Sequence, residues 1–261
     1  MIRVRRNPRI GQTKIGLILP SVNCITEPEY YHVAPEGISF HSARVFLMET
    51  TPTGLMKMEE DLASACRLMA TVSPHAVAYC CTSGSLIRGL GYDKELIDRI
   101  RPLVGCPVIT MSTAMVEGLR AMGIRRVTVA TPYLDIVNER EEDFLNQSGF
   151  EVVACQGLQK SGPAVREQTP EQVYNLVMSI DTPQSDGVFI SCADFRAMEV
   201  IETLEEGLGK PVVSSNQSTL WALLKMVGYP GNVLGYGRLL AEMSPLSREG
   251  DGEESGASRG R

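Results

Sequence analysis

Val77-Ala-Tyr-Cys-Cys81 and Val188-Phe-Ile-Ser-Cys192 are two short apolar runs, and each ends in a cysteine at the same place. Other segments repeat in the same order: Ile15-Gly-Leu-Ile-Leu-Pro20 with Val127-Thr-Val-Ala-Thr-Pro132, and Cys106-Pro107-Val-Ile-Thr-Met with Lys210-Pro211-Val-Val-Ser-Ser. A repeat of this length predicts two similar lobes rather than a solenoid, because a solenoid needs three or more short units. If a pseudo-twofold axis relates the lobes, a thiol stands on each side of one cleft.

Runs rich in Val and Ile alternate with amphipathic helical stretches along the chain. This alternation is typical of parallel sheets covered by helices on both faces. The predicted class is α/β, with two pseudo-twofold-related lobes, each a parallel four-stranded sheet flanked by helices. The predicted strands are residues 14–19, 39–46, 76–81, 107–111, 126–131, 150–155, 186–192 and 211–215. The predicted helices are residues 54–73, 93–102, 113–122, 134–148, 170–181, 195–207 and 218–227.

The repeat also predicts how the chain is divided. Residues 1–123 are expected to form the first lobe and residues 124–228 the second, with residues from about 229 to 245 crossing back to the first. Residues 246–261 are rich in Gly, Ser, Glu and Arg and lack an apolar anchor. This composition predicts a disordered tail.

Composition argues against several classes of function. The 25 basic and 31 acidic residues give a net charge of −6, and without a long basic cluster a nucleic-acid surface is not expected. No stretch approaches the roughly 20 apolar residues of a membrane span, and the N-terminus lacks the apolar core of a signal peptide. Seven cysteines without paired short spacings indicate reduced thiols in a cytoplasmic protein. We expect neither a metal nor a cofactor.

The carboxyl ends of parallel strands form the ligand crevice of α/β proteins. Here the loops at these ends carry thiols, hydroxyls and amides, and they lack Arg, Lys and His. In Cys81-Thr82-Ser83, small residues allow successive backbone N–H groups to point at one anionic oxygen. Such a nest suits a carboxylate or the enediolate formed beside one. Helix capping by Ser and Thr is the alternative explanation.

Cys81 and Cys192 are the candidate catalytic residues. A free cysteine is commonly a small buried hydrophobe, but a core thiol has no reason to recur at the same register beside hydroxyl-rich loops. The tyrosine after Pro132, Tyr133, could donate a hydrogen bond in the cleft or could simply pack over a helix end. Asp194 is an available carboxylate, but it would repel an anionic substrate.

These residues resemble those of the cofactor-independent branch of the aspartate/glutamate racemase superfamily, which includes arylmalonate decarboxylase and maleate cis/trans isomerase. The resemblance extends to about residue 240. It implies that Cys192 donates a proton to an enediolate and that Thr82, Ser83 and Tyr133 form an oxyanion pocket. It is carried mainly by Met111-Ser-Thr-Ala-Met-Val-Glu-Gly-Leu-Arg-Ala-Met-Gly123, Val127-Thr-Val-Ala-Thr-Pro-Tyr133, Ser185-Asp-Gly-Val-Phe-Ile-Ser-Cys192, Pro211-Val-Val-Ser-Ser215 and Gly235-Tyr-Gly-Arg-Leu239.

The residue at position 81 distinguishes the activities found in these relatives. Arylmalonate decarboxylase has a glycine at this position, whereas maleate isomerase and the racemases have a cysteine. The loop Pro20-Ser21-Val22-Asn23 resembles the maleate isomerase pattern Pro-Ser-x-Asn, so Ser21 and Asn23 are assigned to substrate binding, with Asn23 on a substrate carboxylate.

The resemblance therefore implies a two-cysteine isomerase or racemase of a small carboxylate or dicarboxylate, most similar to maleate cis/trans isomerase. An arylmalonate-type decarboxylase that uses Cys192 is one alternative, and a non-catalytic carboxylate-binding protein is another. The oligomeric state stays open, with a homo-oligomer among the options.

Overall fold

A computed structural model describes residues 12–243, so the predicted tail at residues 246–261 lies outside the described part of the chain. Each half contains a parallel four-stranded sheet with helices packed against it. The predicted α/β class with two similar lobes is confirmed. Within residues 12–243 no helix is both long enough and apolar enough to span a membrane.

The first sheet has the strand order β2-β1-β3-β4. It consists of β1 (Thr13–Pro20), β2 (Ile38–Val45), β3 (Ala76–Tyr79) and β4 (Val108–Thr110). The central strand β3 is buried along its whole length, as expected of a strand covered on both faces. The accompanying helices are α1 (Thr26–Val33), α2 (Pro52–Lys57), α3 (Glu59–Ala70), α4 (Thr82–Leu86), α5 (Tyr92–Val104) and α6 (Met111–Ala121).

The second sheet repeats this order as β6-β5-β7-β8. Its strands are β5 (Arg126–Thr131), β6 (Glu151–Gly157), β7 (Gly187–Ile190) and β8 (Val212–Ser214). The accompanying helices are α7 (Asp135–Gln147), α8 (Pro170–Ile180), α9 (Ile201–Leu208), α10 (Ser215–Met226) and α11 (Arg238–Ala241), with a 3-10 turn at Gly162–Val165. The predicted lobe boundary near residues 123–124 lies between α6 and β5.

Strands β3 and β7, which occupy the same place in their two sheets, end in the same way. Beyond β3, the amide of Cys80 donates to the Ile18 carbonyl oxygen at 2.8 Å, and beyond β7 the amide of Ser191 donates to the Ala130 carbonyl oxygen at 2.9 Å. Each of these residues precedes the candidate cysteine of its lobe. Cys81 and Cys192 therefore occupy equivalent positions at the ends of their sheets, as the repeat predicts.

Helices α6 and α10 join the lobes, since each follows the last strand of one sheet and contacts a strand of the other sheet. Both begin directly after a strand with a hydroxyl cap, from Thr110 in α6 and from Ser214 in α10. They cross at Gly118, where an added Cβ atom would lie 3.0 Å from the Cβ atom of Ser218 and 3.1 Å from Cδ2 of Leu239. One of two apolar core clusters among residues 12–243 therefore contains residues of both lobes, such as Leu17 and Val129, and the other lies within the first lobe.

The helix predictions are less accurate than the strand predictions. The stretch predicted as one helix at residues 54–73 is divided into α2 and α3, and the helix predicted at residues 195–207 begins only at Ile201. The residues before Ile201 form a turn, in which the Ala197 amide donates to the Phe195 carbonyl oxygen. Helices α1, α4 and α11 are absent from the predicted set.

The segment after α10 contacts both lobes. The Gln217 amide group donates to the Tyr236 carbonyl oxygen at 2.6 Å, and the Arg238 amide donates to Oε2 of Glu205 at 2.9 Å. The ring of Tyr236 also contacts the first lobe: it lies edge-on to the ring of His32, with 6.4 Å between the centroids.

Helix α1 belongs to the first lobe but binds the second. Thr26 Oγ1 donates to the Ala193 carbonyl oxygen and Tyr30 Oη donates to the Asn216 carbonyl oxygen, both at 3.0 Å. Asn216 Nδ2 in turn donates to Glu29 Oε2 at 2.6 Å. Burial raises the pKa of Glu29 to about 8, although the bond from Asn216 partly opposes this.

We expect Gly118→Val to lower the free energy of unfolding by about 1–3 kcal/mol, because the added side chain overpacks the crossing of α6 and α10. Urea denaturation measures the loss. Glu117→Val is the matched control, since it places the same residue at an exposed position of the same helix. Equal losses in the two variants would contradict the role of the crossing.

Glu29→Gln tests the buried carboxyl group. The folded protein keeps the Glu29 proton up to about pH 8, whereas the unfolded chain releases it above about pH 4.5. The contribution of Glu29 to the free energy of unfolding is therefore fully present below about pH 4.5 and is lost as the pH rises to about 8. Between these pH values the free energy of unfolding of the wild type should fall relative to that of Glu29→Gln, as urea denaturation at each pH measures. A difference between the two proteins that does not change with pH would refute the raised pKa.

Candidate active site

A small cavity of about 30 Å³ lies where the ends of the two sheets meet. It has room for about two or three water molecules. Both candidate cysteines line it, together with four other predicted site residues: Asn23, Thr82, Ser83 and Tyr133. Leu47 and Val165 add apolar walls, one from each lobe. The fold thus brings together six of the seven predicted residues.

Cys81 is the residue immediately before α4. Its Sγ atom accepts a hydrogen bond from the Gly84 amide at 3.3 Å and lies 4.0 Å from Oγ of Ser83. Burial raises the pKa of the Cys81 thiol to about 11, while the Gly84 amide and the Ser83 hydroxyl act in the opposite direction. The resting side chain is therefore a neutral thiol with two donors in place for its anion.

Cys192 differs from Cys81 in its backbone. Its φ angle is +97°, a conformation that non-glycine residues rarely adopt and that costs about 1–3 kcal/mol. Its amide donates to Oγ of Ser215 at 3.0 Å, and its Sγ atom accepts from the Asp194 amide at 3.4 Å. Burial raises the pKa of the Cys192 thiol well above its ordinary value. This thiol is suited to hold a proton.

Tyr133 reaches the cavity from the end of β5 and is almost completely buried. Its hydroxyl faces Cys192 and lowers the pKa of that thiol, which favours the cysteine thiolate. Burial and the nearby sulfur atoms raise the pKa of Tyr133 well above its ordinary value. Gly157 makes this position possible, because a Cβ atom there would overlap the carbonyl oxygen of Tyr133.

Thr82 and Ser215 form a bridge between the lobes. Thr82 Oγ1 donates to Ser215 Oγ at 2.8 Å, and the same oxygen of Ser215 accepts the Cys192 amide. The Thr82 hydroxyl therefore supports the second cysteine as well as lining the cavity. The sequence predicts that Ser215 ends a strand near the crevice but does not assign it to the site.

Asn23 lines the cavity from the loop after β1. Its Oδ1 accepts the Thr26 amide at 3.1 Å, and its Nδ2 donates to Thr26 Oγ1 at 3.0 Å. A carboxamide nitrogen has two N–H donors, so one remains for a ligand. Arg44 and Arg166 hold the loop by donating to the Asn23 carbonyl oxygen at 2.7 Å and the Val22 carbonyl oxygen at 3.0 Å.

Ser21 does not line the cavity. Its hydroxyl donates to the Leu47 carbonyl oxygen and accepts the Leu47 amide, both at 3.0 Å. The side chain therefore ties the β1 loop to the segment after β2, and the structure gives it a positioning contact in place of the predicted contact with substrate.

Within residues 12–243 no cluster of three or more His, Cys, Asp or Glu side chains is arranged to hold a metal ion. The donors around the cavity are instead amides and hydroxyls, which suit an anionic oxygen.

The arylmalonate decarboxylase family profile matches residues 15–240. The chain belongs to the arylmalonate decarboxylase family. It is 32% identical to arylmalonate decarboxylase from Bordetella bronchiseptica, over 87% of this chain and 96% of that protein.

Similar solved structures also include maleate isomerases. Maleate isomerase Iso from Pseudomonas putida S16, solved as a cysteine-to-alanine mutant with maleate, is 28% identical with a TM-score of 0.85, covering 88% of this chain and 97% of that one. A cysteine-to-serine mutant of maleate cis-trans isomerase from Nocardia farcinica carries a covalently bound succinylcysteine intermediate. It is 27% identical with a TM-score of 0.85, covering 89% and 99% of the two chains.

The raised pKa of Cys81 predicts how this thiol reacts. Only the thiolate is nucleophilic, so its alkylation by iodoacetamide should accelerate about tenfold per pH unit from neutral pH towards the pKa of about 11. Mass spectrometry of the Cys81 peptide gives the rate at each pH, and a small thiol of known pKa corrects for the reagent. A plateau below pH 9 would show that the site lowers the pKa instead.

Proposed function

We propose that this protein is a cofactor-independent, two-cysteine isomerase of a small unsaturated carboxylic acid, most similar to maleate cis/trans isomerase. The supporting observation is that Cys81 and Cys192 line one small cavity together with Asn23, Thr82 and Tyr133. Two thiols on one substrate can act as nucleophile and as acid. A cytoplasmic location and a homo-oligomeric state stay predictions.

Cys81 is proposed as the nucleophile. The Gly84 amide and the Ser83 hydroxyl are positioned to stabilise its anion. The Cys81 thiol, which is neutral at rest, first releases its proton to water. The thiolate then adds to one carbon of the double bond, and the electron pair moves onto the neighbouring carbon and its carboxylate. The remaining carbon–carbon single bond is free to rotate.

Cys192 is proposed as the acid. It gives its proton to the carbon that carries the new electron pair, and its thiolate is then stabilised by the Tyr133 hydroxyl and the Asp194 amide. After rotation Cys192 takes the proton back and Cys81 leaves as thiolate. Protons and electrons balance over the cycle without a co-reactant.

The charge that grows on the substrate carboxylate needs donors. Asn23 has a second amide N–H for this purpose. Thr82 and Ser83 are the first residues of α4, and their backbone N–H groups have no acceptor inside the helix. Donors that are fixed before the reaction stabilise a developing oxyanion without reorganisation.

Decarboxylation of an arylmalonate is the second candidate, favoured by the family profile and by the 32% identity to that enzyme. In that reaction Cys192 alone protonates the enediolate and Cys81 takes no part. The presence of Cys81 beside Cys192 in the cavity favours the isomerase, because decarboxylation has no use for a second thiol. Retention of carbon dioxide release in Cys81→Gly would support the decarboxylase.

Variants of the two cysteines test the isomerase. Cys81→Ala and Cys192→Ser should each lower turnover by about 10²- to 10⁴-fold, because each removes one proton-transfer or nucleophilic group. Proton NMR in D₂O with maleate and related cis-unsaturated acids measures formation of the trans acid. Cys192→Ser should also accumulate one covalent substrate adduct on Cys81, which peptide mass spectrometry locates.

Cys106→Ser is the matched control, since this partly buried cysteine lies outside the cavity. It should keep wild-type turnover. Turnover that survives in Cys81→Ala would exclude thiolate addition by Cys81. If carbon dioxide is released from phenylmalonate instead, the decarboxylase takes its place.

A further inference from the structure

Asp194 is the only carboxylate among the described residues that line the cavity. The other ionisable side chains there are Cys81, Cys192 and Tyr133, and burial raises the pKa of all three. At neutral pH these three are uncharged. Asp194 is therefore the one wall residue able to carry a negative charge beside the substrate.

The Asp194 carboxyl group is used at one oxygen only. Oδ1 accepts the Cys24 amide at 2.7 Å and the Ile25 amide at 3.2 Å, which anchors the loop of the first lobe to the second. Oδ2 is buried and has no hydrogen-bond partner among residues 12–243, and the residue is only 7% exposed. Leaving a buried carboxylate oxygen unsatisfied is costly unless the group takes up a proton or a ligand supplies a donor.

The charges around Asp194 come from both lobes. Burial raises the pKa of Asp194 above its ordinary value, while the Cys24 and Ile25 amides and the charges of Arg166 and Arg44 favour its anionic form. Both arginines donate to backbone carbonyl oxygens of the β1 loop, and Arg44 also pairs with Glu27. Neither arginine is a lining residue of the cavity, so neither faces a substrate there.

We propose that Asp194 selects a substrate that has one carboxylate and, at its other end, a hydrogen-bond donor such as an amide. The proposal rests on the proposed isomerase and narrows its substrate class. Asn23 and the amides of α4 hold the single carboxylate, and Oδ2 of Asp194 accepts the donor. A second carboxylate in place of that donor would lie beside Asp194, and like charges repel strongly where water is excluded.

Asp194→Asn separates the two roles of the side chain. The amide oxygen keeps the anchor to Cys24 and Ile25, while a nitrogen donor replaces the acceptor at Oδ2. Glu29→Gln is the matched control, since it makes the same carboxyl-to-amide change at a buried group that does not line the cavity. Thermal unfolding of both variants checks that the fold is kept.

Binding is measured first, by calorimetry with succinate and its half-amide succinamate, which have no double bond and cannot react with Cys81. The wild type and Glu29→Gln should prefer succinamate by about tenfold or more, because a pocket built to accept a hydrogen bond discriminates against a ligand without the donor. Asp194→Asn should reduce this ratio by at least tenfold or reverse it. An unchanged ratio, or no binding of either acid to the wild type, overturns the proposal.

Turnover is measured next, by NMR with maleate and its half-amide. The wild type should isomerise the half-amide with the higher kcat/KM, and Asp194→Asn should shift the preference towards maleate. If neither acid is isomerised although the binding ratio shifts as expected, the isomerase is refuted and the ligand selectivity stands. If both acids are isomerised and the ratio of their kcat/KM values is the same in the wild type and in Asp194→Asn, the isomerase stands and the role of Asp194 is overturned.

Discussion

Helices α6 and α10 cross at Gly118, and the candidate site depends on that crossing. Each helix starts directly after the last strand of its own sheet and contacts a strand of the other. The crossing fixes the distance between the sheets, so the ends of β3 and β7 meet across one small cavity. Ser215 shows the coupling most directly, because this first residue of α10 binds both Thr82 and the Cys192 amide.

Burial of this cavity sets the electrostatics of the site. Desolvation is the largest influence on the pKa of both thiols and of Tyr133, and it keeps all three neutral. The same exclusion of water strengthens every donor that faces a developing anion. The site therefore lacks a strong resting nucleophile and instead holds fixed amides and hydroxyls around the place where charge appears.

Much of this arrangement could be predicted from the sequence. The repeat of apolar runs ending at Cys81 and Cys192 predicts two equivalent sheets, because strand periodicity and burial are local properties. The roles of Ser215 and Asp194 could not be predicted in this way, since each depends on partners more than 20 residues away in sequence. Resemblance alone assigns Ser21 to the substrate, and only the fold shows that Leu47 occupies its hydroxyl.

The two cysteines occupy equivalent positions but not equivalent environments, and this asymmetry is what allows a division of roles. After Cys81 the chain enters α4 with ordinary backbone angles, and the Gly84 amide donates to the sulfur. After Cys192 the chain turns through a positive φ into a loop that carries Asp194, and helix α9 begins only at Ile201. A symmetric pair would have equal affinities for the proton. The two sulfurs lack that symmetry because their partners differ: the Gly84 amide and the Ser83 hydroxyl lie at Cys81, and the Asp194 amide lies at Cys192, where the chain turns.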